Sequence, residues 1–256
     1  MSGLAAFSTK LMSGQRQVIT ATVVCPTGAI TGSGDIHATM TSALLGGGTE
    51  VVDVAVLLGD TSAIVAQKIV VALNLNADFL ADFVATVDGA NVIVTALLPA
   101  ANEVGMNLAL EVVDATGMTD DTTSTATVAG IAYTEIANAT APVGPNMKVD
   151  VEDVTTHDST SGFSECVPTI IRTGQMKLDI NYDPDNATHD ASTGILYRKI
   201  NKLLGAYQLR LPDAGHTMFS FDAYVSSFEP SEPVAGKITA SVAFDITGVP
   251  VLTGTY

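Results

Sequence analysis

The stretch "TGQMKLDINYD", residues 173–183, alternates apolar and polar side chains from Gln175 onward. Its apolar members are Met176, Leu178, Ile180 and Tyr182. Because successive side chains of a β-strand point to opposite faces, this period of two predicts a strand with one dry and one wet face. The same pattern recurs in "TMFSFDAYVSSFEP", residues 217–230, and in "KITASVAFDIT", residues 237–247. Long strands of this kind predict an antiparallel β-sandwich or barrel.

One helix is predicted beside these strands. The stretch "TGILYRKINKLLGAY", residues 193–207, has apolar residues at helical spacing. Thr193 is a candidate N-cap and Gly205 a candidate end of the helix. This part of the chain is therefore expected to be a β-body with a single flanking helix.

Residues 16–132 combine strand and helix patterns. Strand-like alternation begins at "QVITATVVC", residues 17–25, and a helix is predicted for "DTSAIVAQKIVVALNLN", residues 60–76, with Asp60 as its N-cap. The stretch "FVATVDGANVIVTALL", residues 83–98, consists of two apolar runs joined by a tight turn, which predicts a hairpin. This block is interpreted as a small α/β module. The fold class expected for the whole chain is mainly β with an α/β insert.

The chain is strongly acidic, with 11 Lys and Arg residues against 27 Asp and Glu residues and a formal net charge of -16. Residues 16–132 alone hold two basic and twelve acidic residues. Tight binding of nucleic acid requires clustered cations that displace counterions from phosphates, so this composition argues against it. No stretch approaches the roughly 20 apolar residues that span a bilayer, so no membrane partner is expected.

The two cysteines, Cys25 and Cys166, lie far apart in the sequence and form no C-x-x-C motif. Neither a zinc site nor a disulfide framework is indicated, and both are interpreted as buried free thiols. The start of the chain has no continuous apolar run of the kind found in export signals, so none is expected.

The most reactive-looking stretch is "VEDVTTHDSTSGFSEC", residues 151–166, which is rich in carboxylates and contains His157. It lacks the ligand order of a calcium loop, and the dipeptides His157-Asp158 and His189-Asp190 both stand among turn residues. The glycine-flanked Ser33 does not fit a nucleophile elbow, and no phosphate-binding loop is present. We therefore expect no enzyme activity and no catalytic, cofactor or metal site.

Several stretches resemble one family, the major tail tube proteins of long-tailed, siphovirus-like bacteriophages. They are "AFSTKLMSG", the segment from "YTEIANATAPVGPNMKVDVEDV" to "TGQMKLDINYDPDNATH", "GILYRKINKLLG", and "FDAYVSSFEPSEPVAGKITASVAFDITGVP". The resemblance covers residues 1–15 and 133–252, and residues 16–132 interrupt it with a block that resembles a small module of phage tail proteins. The expected domains are therefore a tail tube domain, residues 1–15 and 133–256, and an inserted module, residues 16–132.

The resemblance implies a structural virion protein that self-assembles into hexameric rings. The rings stack into the hollow tube of a long flexible tail, through which viral DNA is ejected without specific binding. It implies as partners other copies of the chain and the tape measure, tail tip and tail terminator proteins. The expected location is the virion tail, and the host cytoplasm before assembly. An adhesin or carbohydrate-binding tail decoration protein is the alternative, and a hydrolase using the Asp/His-rich loops is a third.

Two sets of residues are candidates for a role in the tube. The loop "DVEDVTTHDSTSGF", residues 150–163, is expected to reach the neighbouring ring through inter-ring contacts of Glu152, Asp153, Val154, Thr155, His157 and Asp158. Lys177 and Asp179 lie on the polar face of their predicted strand and are candidates to line the lumen. The inserted module is expected on the tube exterior, because insertions are best tolerated at exposed loops.

Overall fold

The computed structural model describes residues 9–140, 142–156, 164–232 and 236–254. These residues are mostly antiparallel β-structure with three α-helices, which confirms the mainly β prediction. The chain forms two compact units. One, called here the discontinuous unit, consists of Met1–Ser13 and Tyr133–Tyr256, and the other, the inserted unit, consists of Gly14–Ala132.

In chain order, the elements of the described residues are β1 (Lys10–Gln15), β2 (Val18–Thr22), β3 (Gly34–Thr41), β4 (Thr49–Val56), α1 (Ser62–Leu75), α2 (Ala77–Asp82), β5 (Phe83–Asp88), β6 (Asn91–Ala96), β7 (Asn107–Val112), β8 (Thr125–Val128), β9 (Ile131–Glu135), β10 (Lys148–Asp153), β11 (Cys166–Arg172), β12 (Gln175–Asn181), α3 (Ile195–Ile200), β13 (Leu204–Arg210), β14 (Thr217–Ser231) and β15 (Thr239–Gly254). None of the helices among them is long and apolar enough to cross a membrane.

The main body of the discontinuous unit is a six-stranded sheet in the order β12-β15-β14-β13-β1-β9. The free edge of β12 is covered by the chain that follows β9, the strand at the other edge. Val143 and Lys177 exchange two backbone hydrogen bonds of 2.8 Å, and the Thr140 N–H donates to the Asp179 carbonyl at 2.8 Å. The sheet is therefore closed upon itself in the manner of a barrel, which removes an edge that could pair with other chains.

The core of this sheet comes from the alternating strands. Met176, Leu178 and Ile180 of β12 are buried, and Leu178 lies opposite Val242 of β15 in the strand register. At the centre is Tyr207, whose ring lies 4.8 Å from that of Phe244 and 6.0 Å from that of Phe221, measured between centroids. Burial raises the pKa of Tyr207 to about 12, so its hydroxyl stays neutral. The predicted dry faces of β12 and β15 are confirmed.

The flanking helix is shorter than predicted at its carboxyl end. It ends at Ile200, and Leu204 and Gly205, expected to complete it, begin strand β13. A Cβ atom at Gly205 would lie only 2.6 Å from the Tyr207 hydroxyl, so the glycine permits close packing in the strand. Its interpretation as a helix stop is wrong.

The start of this helix also differs from the prediction. The N-cap position is Gly194, not Thr193, and it has no side-chain cap bond. The Asp190 carboxylate lies in the turn just before the helix. It accepts the N–H groups of Ser192, Thr193 and Gly194 at 3.1, 2.8 and 2.7 Å. The Thr193 and Gly194 N–H groups hold the pKa of Asp190 below its ordinary value, because they bond to the charged form.

The inserted unit has two sheets, β5-β6-β2-β8 and β4-β3-β7, and the helices α1 and α2. Val65, Ile69 and Leu73 on one face of α1 are buried in the shared core. The predicted hairpin is confirmed as β5 and β6, with Asp88 opposite Asn91. Helix α2 was not predicted.

Asp60 is not the N-cap of α1. That position is Thr61, which makes no side-chain cap bond. Asp60 instead accepts the Lys68 ammonium at 2.5 Å and the Leu57 N–H at 2.8 Å. Both hydrogen bonds lower the pKa of the Asp60 carboxyl, and the bond from Lys68 has the larger effect.

The two thiols have different surroundings. Cys25 is buried, as predicted, but Cys166 is exposed, so its predicted burial is wrong. Cys166 opens strand β11, and every position of that strand is exposed.

Candidate assembly surface

Strands β10 and β11 form a two-stranded antiparallel sheet of their own, called here the ribbon. It runs from the pair Lys148 and Arg172 at its base to the pair Asp153 and Cys166 near its tip. All of its positions are exposed except Asp150, which is half-buried. In the described residues the ribbon pairs with no other strand. A lone two-stranded hairpin is only marginally stable in water, so contact with another protein surface would stabilise the ribbon.

The ribbon exposes large apolar side chains on both strands. Ile170 and Ile171 of β11 are 60% and 67% exposed. Val149 and Val151 of β10 and Val167 of β11 are also exposed. Consecutive strand residues point to opposite faces, so both faces of the ribbon carry exposed apolar side chains, which is typical of a protein interaction site. These valines and isoleucines were not among the predicted contact residues, although the runs "VDV", residues 149–151, and "TII", residues 169–171, carry the signal.

The base of the ribbon is held by charges. Arg172 donates from Nε to the Asp150 carboxylate at 2.5 Å, and the Lys148 ammonium lies 3.9 Å from the same carboxylate group. Opposite charges on facing strands stabilise their pairing modestly. The base is therefore polar and the length of the ribbon is apolar.

The tip gathers part of the predicted inter-ring set. The Asp153 carboxylate accepts the N–H of Thr155 at 2.9 Å and also its hydroxyl, and the Thr155 hydroxyl oxygen accepts the Glu165 N–H at 2.9 Å. The Val154 N–H donates to the Glu165 carbonyl at 2.8 Å. The Thr155 hydroxyl and N–H lower the pKa of the Asp153 carboxyl. These bonds join residues 153–155 to Glu165 at the end of the ribbon.

The other predicted members of that set are placed differently. Glu152 is exposed and, like Asp153, belongs to the end of strand β10. His157 and Asp158 lie outside the described residues.

The lumen candidates lie together on the outer face of the closed sheet. Lys177 and Asp179 are both exposed on β12. The Ser241 hydroxyl donates to the Asp179 carboxylate, and the neighbouring Gln175 amide donates to Asp245 at 2.7 Å. Across β15 from Asp179, Glu229 lies opposite Ser241. This face is polar and carries more carboxylates than cations.

The second Asp/His dipeptide has a structural role. His189 is buried, its Nδ1 accepts the Asp183 N–H at 3.2 Å, and its Nε2 lies 2.7 Å from the Ala137 carbonyl. With Nδ1 accepting, the ring is neutral and Nε2 donates. In the described part of the chain no group of three His, Cys, Asp or Glu side chains is placed to hold a metal ion.

No protein-family model matches the chain, and no curated protein is similar to it. Sixteen chains of solved structures are similar. A chain from the tail of an empty gene transfer agent particle, refined with C6 symmetry, is 19% identical, with a TM-score of 0.38, and covers 48% of this chain and 87% of that one. A chain of the native gene transfer agent virion is 16% identical, with a TM-score of 0.38, and covers 48% and 89%.

A third similar chain comes from the sixfold-symmetrised baseplate of the anti-feeding prophage. It is 10% identical, with a TM-score of 0.37, and the match covers 48% of this chain and 84% of that one. At such TM-scores these likenesses assign neither a family nor a function to this chain.

Proposed function

We propose that this chain is the structural subunit of a tail tube in a long-tailed phage-like particle. In this proposal copies close into hexameric rings, and the rings stack into a tube that conducts DNA into the host. The sequence resemblance names the class of protein. The exposed apolar ribbon is the single structural observation that carries the self-assembly.

The physical argument for assembly starts from the exposed area. Covering a large aliphatic side chain completely contributes about 1.5 to 3 kcal/mol, and the ribbon holds five exposed valines and isoleucines. Those residues are Val149, Val151, Val167, Ile170 and Ile171. A second copy of the chain can supply the missing cover at every subunit of a ring, because all subunits present the same surface.

The loop at the tip is proposed to reach the next ring. Glu152, Asp153, Val154 and Thr155, together with His157 and Asp158, would make polar contacts there. The hydrogen-bonded turn of Asp153 and Thr155 supports this role because it places polar groups at the exposed end of the ribbon.

The outer face of β12 is proposed to line the lumen. Lys177 and Asp179 lie among small polar side chains and further carboxylates. A like-signed lumen repels phosphates, so the duplex would slide without adsorbing. No catalysis, cofactor or membrane contact is part of the proposal.

The discontinuous unit is proposed to be the tube domain and the inserted unit the exterior module. The proposed partners besides other copies are the tape measure, tail tip and tail terminator proteins. The virion tail would be the final location, after assembly in the host cytoplasm.

Negative-stain electron microscopy of the concentrated protein tests the proposal. Stacked rings or tubes with a stain-filled channel are expected. A matched variant in which residues 18–130 are replaced by a short linker should form tubes of smaller outer diameter. Monomers that stay dispersed even with a tail initiator complex would refute assembly, and an unchanged diameter would refute the exterior placement.

A further inference from the structure

The inserted unit contains an open sheet edge. Strand β4 pairs only with β3, and its position at the end of the order β4-β3-β7 leaves its other side without a neighbouring strand in the described residues. The register shows which groups face outward. The Asp35 carbonyl and N–H form hydrogen bonds on the side of β3 that faces β7. Because backbone groups of successive residues point to alternate sides of a strand, Ile36 and Ala38 direct theirs toward β4.

The partners of Ile36 and Ala38 on β4 are Val54 and Val52. Their alternating neighbours Val51, Asp53 and Ala55 therefore point their N–H and C=O groups away from the sheet. Edges of this kind template the pairing of another strand unless they are protected.

Two other edges of the inserted unit are protected. At β7, the Leu110 N–H and C=O exchange hydrogen bonds of 2.7 and 2.9 Å with Asp121, and the Asp120 carboxylate accepts the Val112 N–H. At β5, the Asn74 side-chain amide bonds both the N–H and the C=O of Ala85, at 3.0 and 2.8 Å. The open edge of β4 contrasts with this protection.

An apolar helix face lies beside the open edge. Ile64, Val71 and Leu75 of α1 are exposed and follow helical spacing, and Leu75 is 80% exposed. Together with Asp53 and Ala55 of β4 they line a groove of about 550 Å³. A groove between an edge strand and a helix accepts an extended peptide, which adds to the sheet and places alternate side chains against the helix.

The charges around the groove select the occupant. The Lys68 ammonium in the groove is held by Asp60 at 2.5 Å, whereas the Asp53 side chain is 76% exposed. The Nε2 atom of His37 lies 2.9 Å from the Asp53 carboxylate. The unit as a whole carries twelve acidic and two basic residues over 16–132, so a second acidic copy is repelled and a basic segment is attracted.

We propose that this groove binds an extended segment of a partner protein by strand addition to β4. The segment alternates apolar side chains, which cover the face formed by Ile64, Val71 and Leu75, and carries Lys or Arg at its ends. This site is independent of tube assembly and gives the inserted unit a binding role of its own.

The test uses the full chain and a fluorescein-labelled heptapeptide, Lys-Val-Thr-Val-Thr-Val-Lys, followed by fluorescence anisotropy. We expect saturable binding with a Kd below about 1 mM. The Ala55→Pro variant removes an outward N–H that the β3 ladder does not use, and proline is tolerated at such edge positions. It should raise the Kd about tenfold, because a main-chain hydrogen bond is lost and the ring obstructs the strand.

A second variant keeps the test informative if proline perturbs the unit. Val71→Lys places a charge in the apolar face and should also weaken binding about tenfold. The matched control is Val104→Lys, at a residue that is 94% exposed and lies outside the groove, and it should leave the Kd within about twofold.

Three outcomes would overturn the proposal. The first is no binding at about 1 mM peptide. The second is equal affinity for a Glu-flanked peptide of the same core, which would refute the charge selection. The third is sedimentation that shows self-association of the chain abolished by Ala55→Pro, which would make a second copy the occupant. Tubes can fail to form while the peptide still binds, so this test is separable from the assembly test.

Discussion

Replacing Ile170 and Ile171 together with threonine tests the role of the ribbon. Threonine is β-branched like isoleucine, so the double variant keeps the strand propensity of β11 while removing apolar surface. Both side chains are already largely exposed in the single chain, at 60% and 67%, so the variant costs the monomer little stability. Any effect should therefore appear in assembly.

The magnitude follows from the exposed fractions. Complete burial of an isoleucine side chain contributes about 1.5 to 3 kcal/mol, so covering what is exposed at each position contributes about 1 to 2 kcal/mol. The two side chains point to opposite faces of the ribbon, so with both faces covered in the ring they together contribute about 2 to 4 kcal/mol per subunit. At about 1.4 kcal/mol per factor of ten, the concentration required for assembly should rise roughly 30- to 700-fold.

The assay is sedimentation of the assembled fraction over a concentration series, with negative-stain images of the pellets. Val104→Thr is the matched control, since Val104 is 94% exposed outside the ribbon. It should assemble like the unchanged chain. If the double variant assembles at the same concentration as this control, the ribbon is not the surface that drives assembly.

Three further results are expected. Leu178→Ala should destabilise the discontinuous unit by about 2 to 5 kcal/mol, because Leu178 is fully buried. Tyrosine fluorescence during urea unfolding reports this unit alone, since all six tyrosines lie at or beyond Tyr133 and the chain has no Trp. An unchanged unfolding midpoint would contradict the packing of Leu178. Relative to their intrinsic exchange rates at each pH, the Thr193 and Gly194 amides should be protected from hydrogen exchange above the ordinary carboxyl pKa of about 3.9 and lose this protection as pH falls through the lowered pKa of Asp190, because protonation removes their acceptor; an Asp190→Ala variant should lack the protection throughout, and protection retained in that variant would argue against Asp190 as the acceptor. Asp179→Lys should slow DNA ejection from particles, since a cation in the lumen attracts phosphates, and unchanged ejection kinetics would refute a luminal position.

The placement of these residues was predictable from the sequence to different degrees. The dry and wet faces of β12 followed from the alternation of Met176, Leu178 and Ile180, because the period of two is a local property of the strand. The buried face of α1 followed in the same way from the spacing of Val65, Ile69 and Leu73.

The ends of the helices were less predictable. The apolar Leu203 and Leu204 fit a helix as well as a strand, and the pairing of Leu204 with Tyr224 decided in favour of β13. The N-cap position of α3 is Gly194, one residue after the predicted Thr193, because the Thr193 hydroxyl bonds to Ala187 and Asp190 in the preceding turn and not to the helix. Propensity ranks candidate caps but does not place them.

The sequence by itself determined the mainly β character, the alternating cores and the acidic surface, since each follows from the type and order of side chains. Only the tertiary structure showed that β10 and β11 stand apart from the sheet, so that Ile170, Ile171 and Cys166 are exposed although their composition favours burial. It also showed which edges are closed, by Asn74 at β5 and by the segment after β9 at β12. Burial and edge pairing depend on chain segments distant in sequence, and no local pattern records which of them will meet.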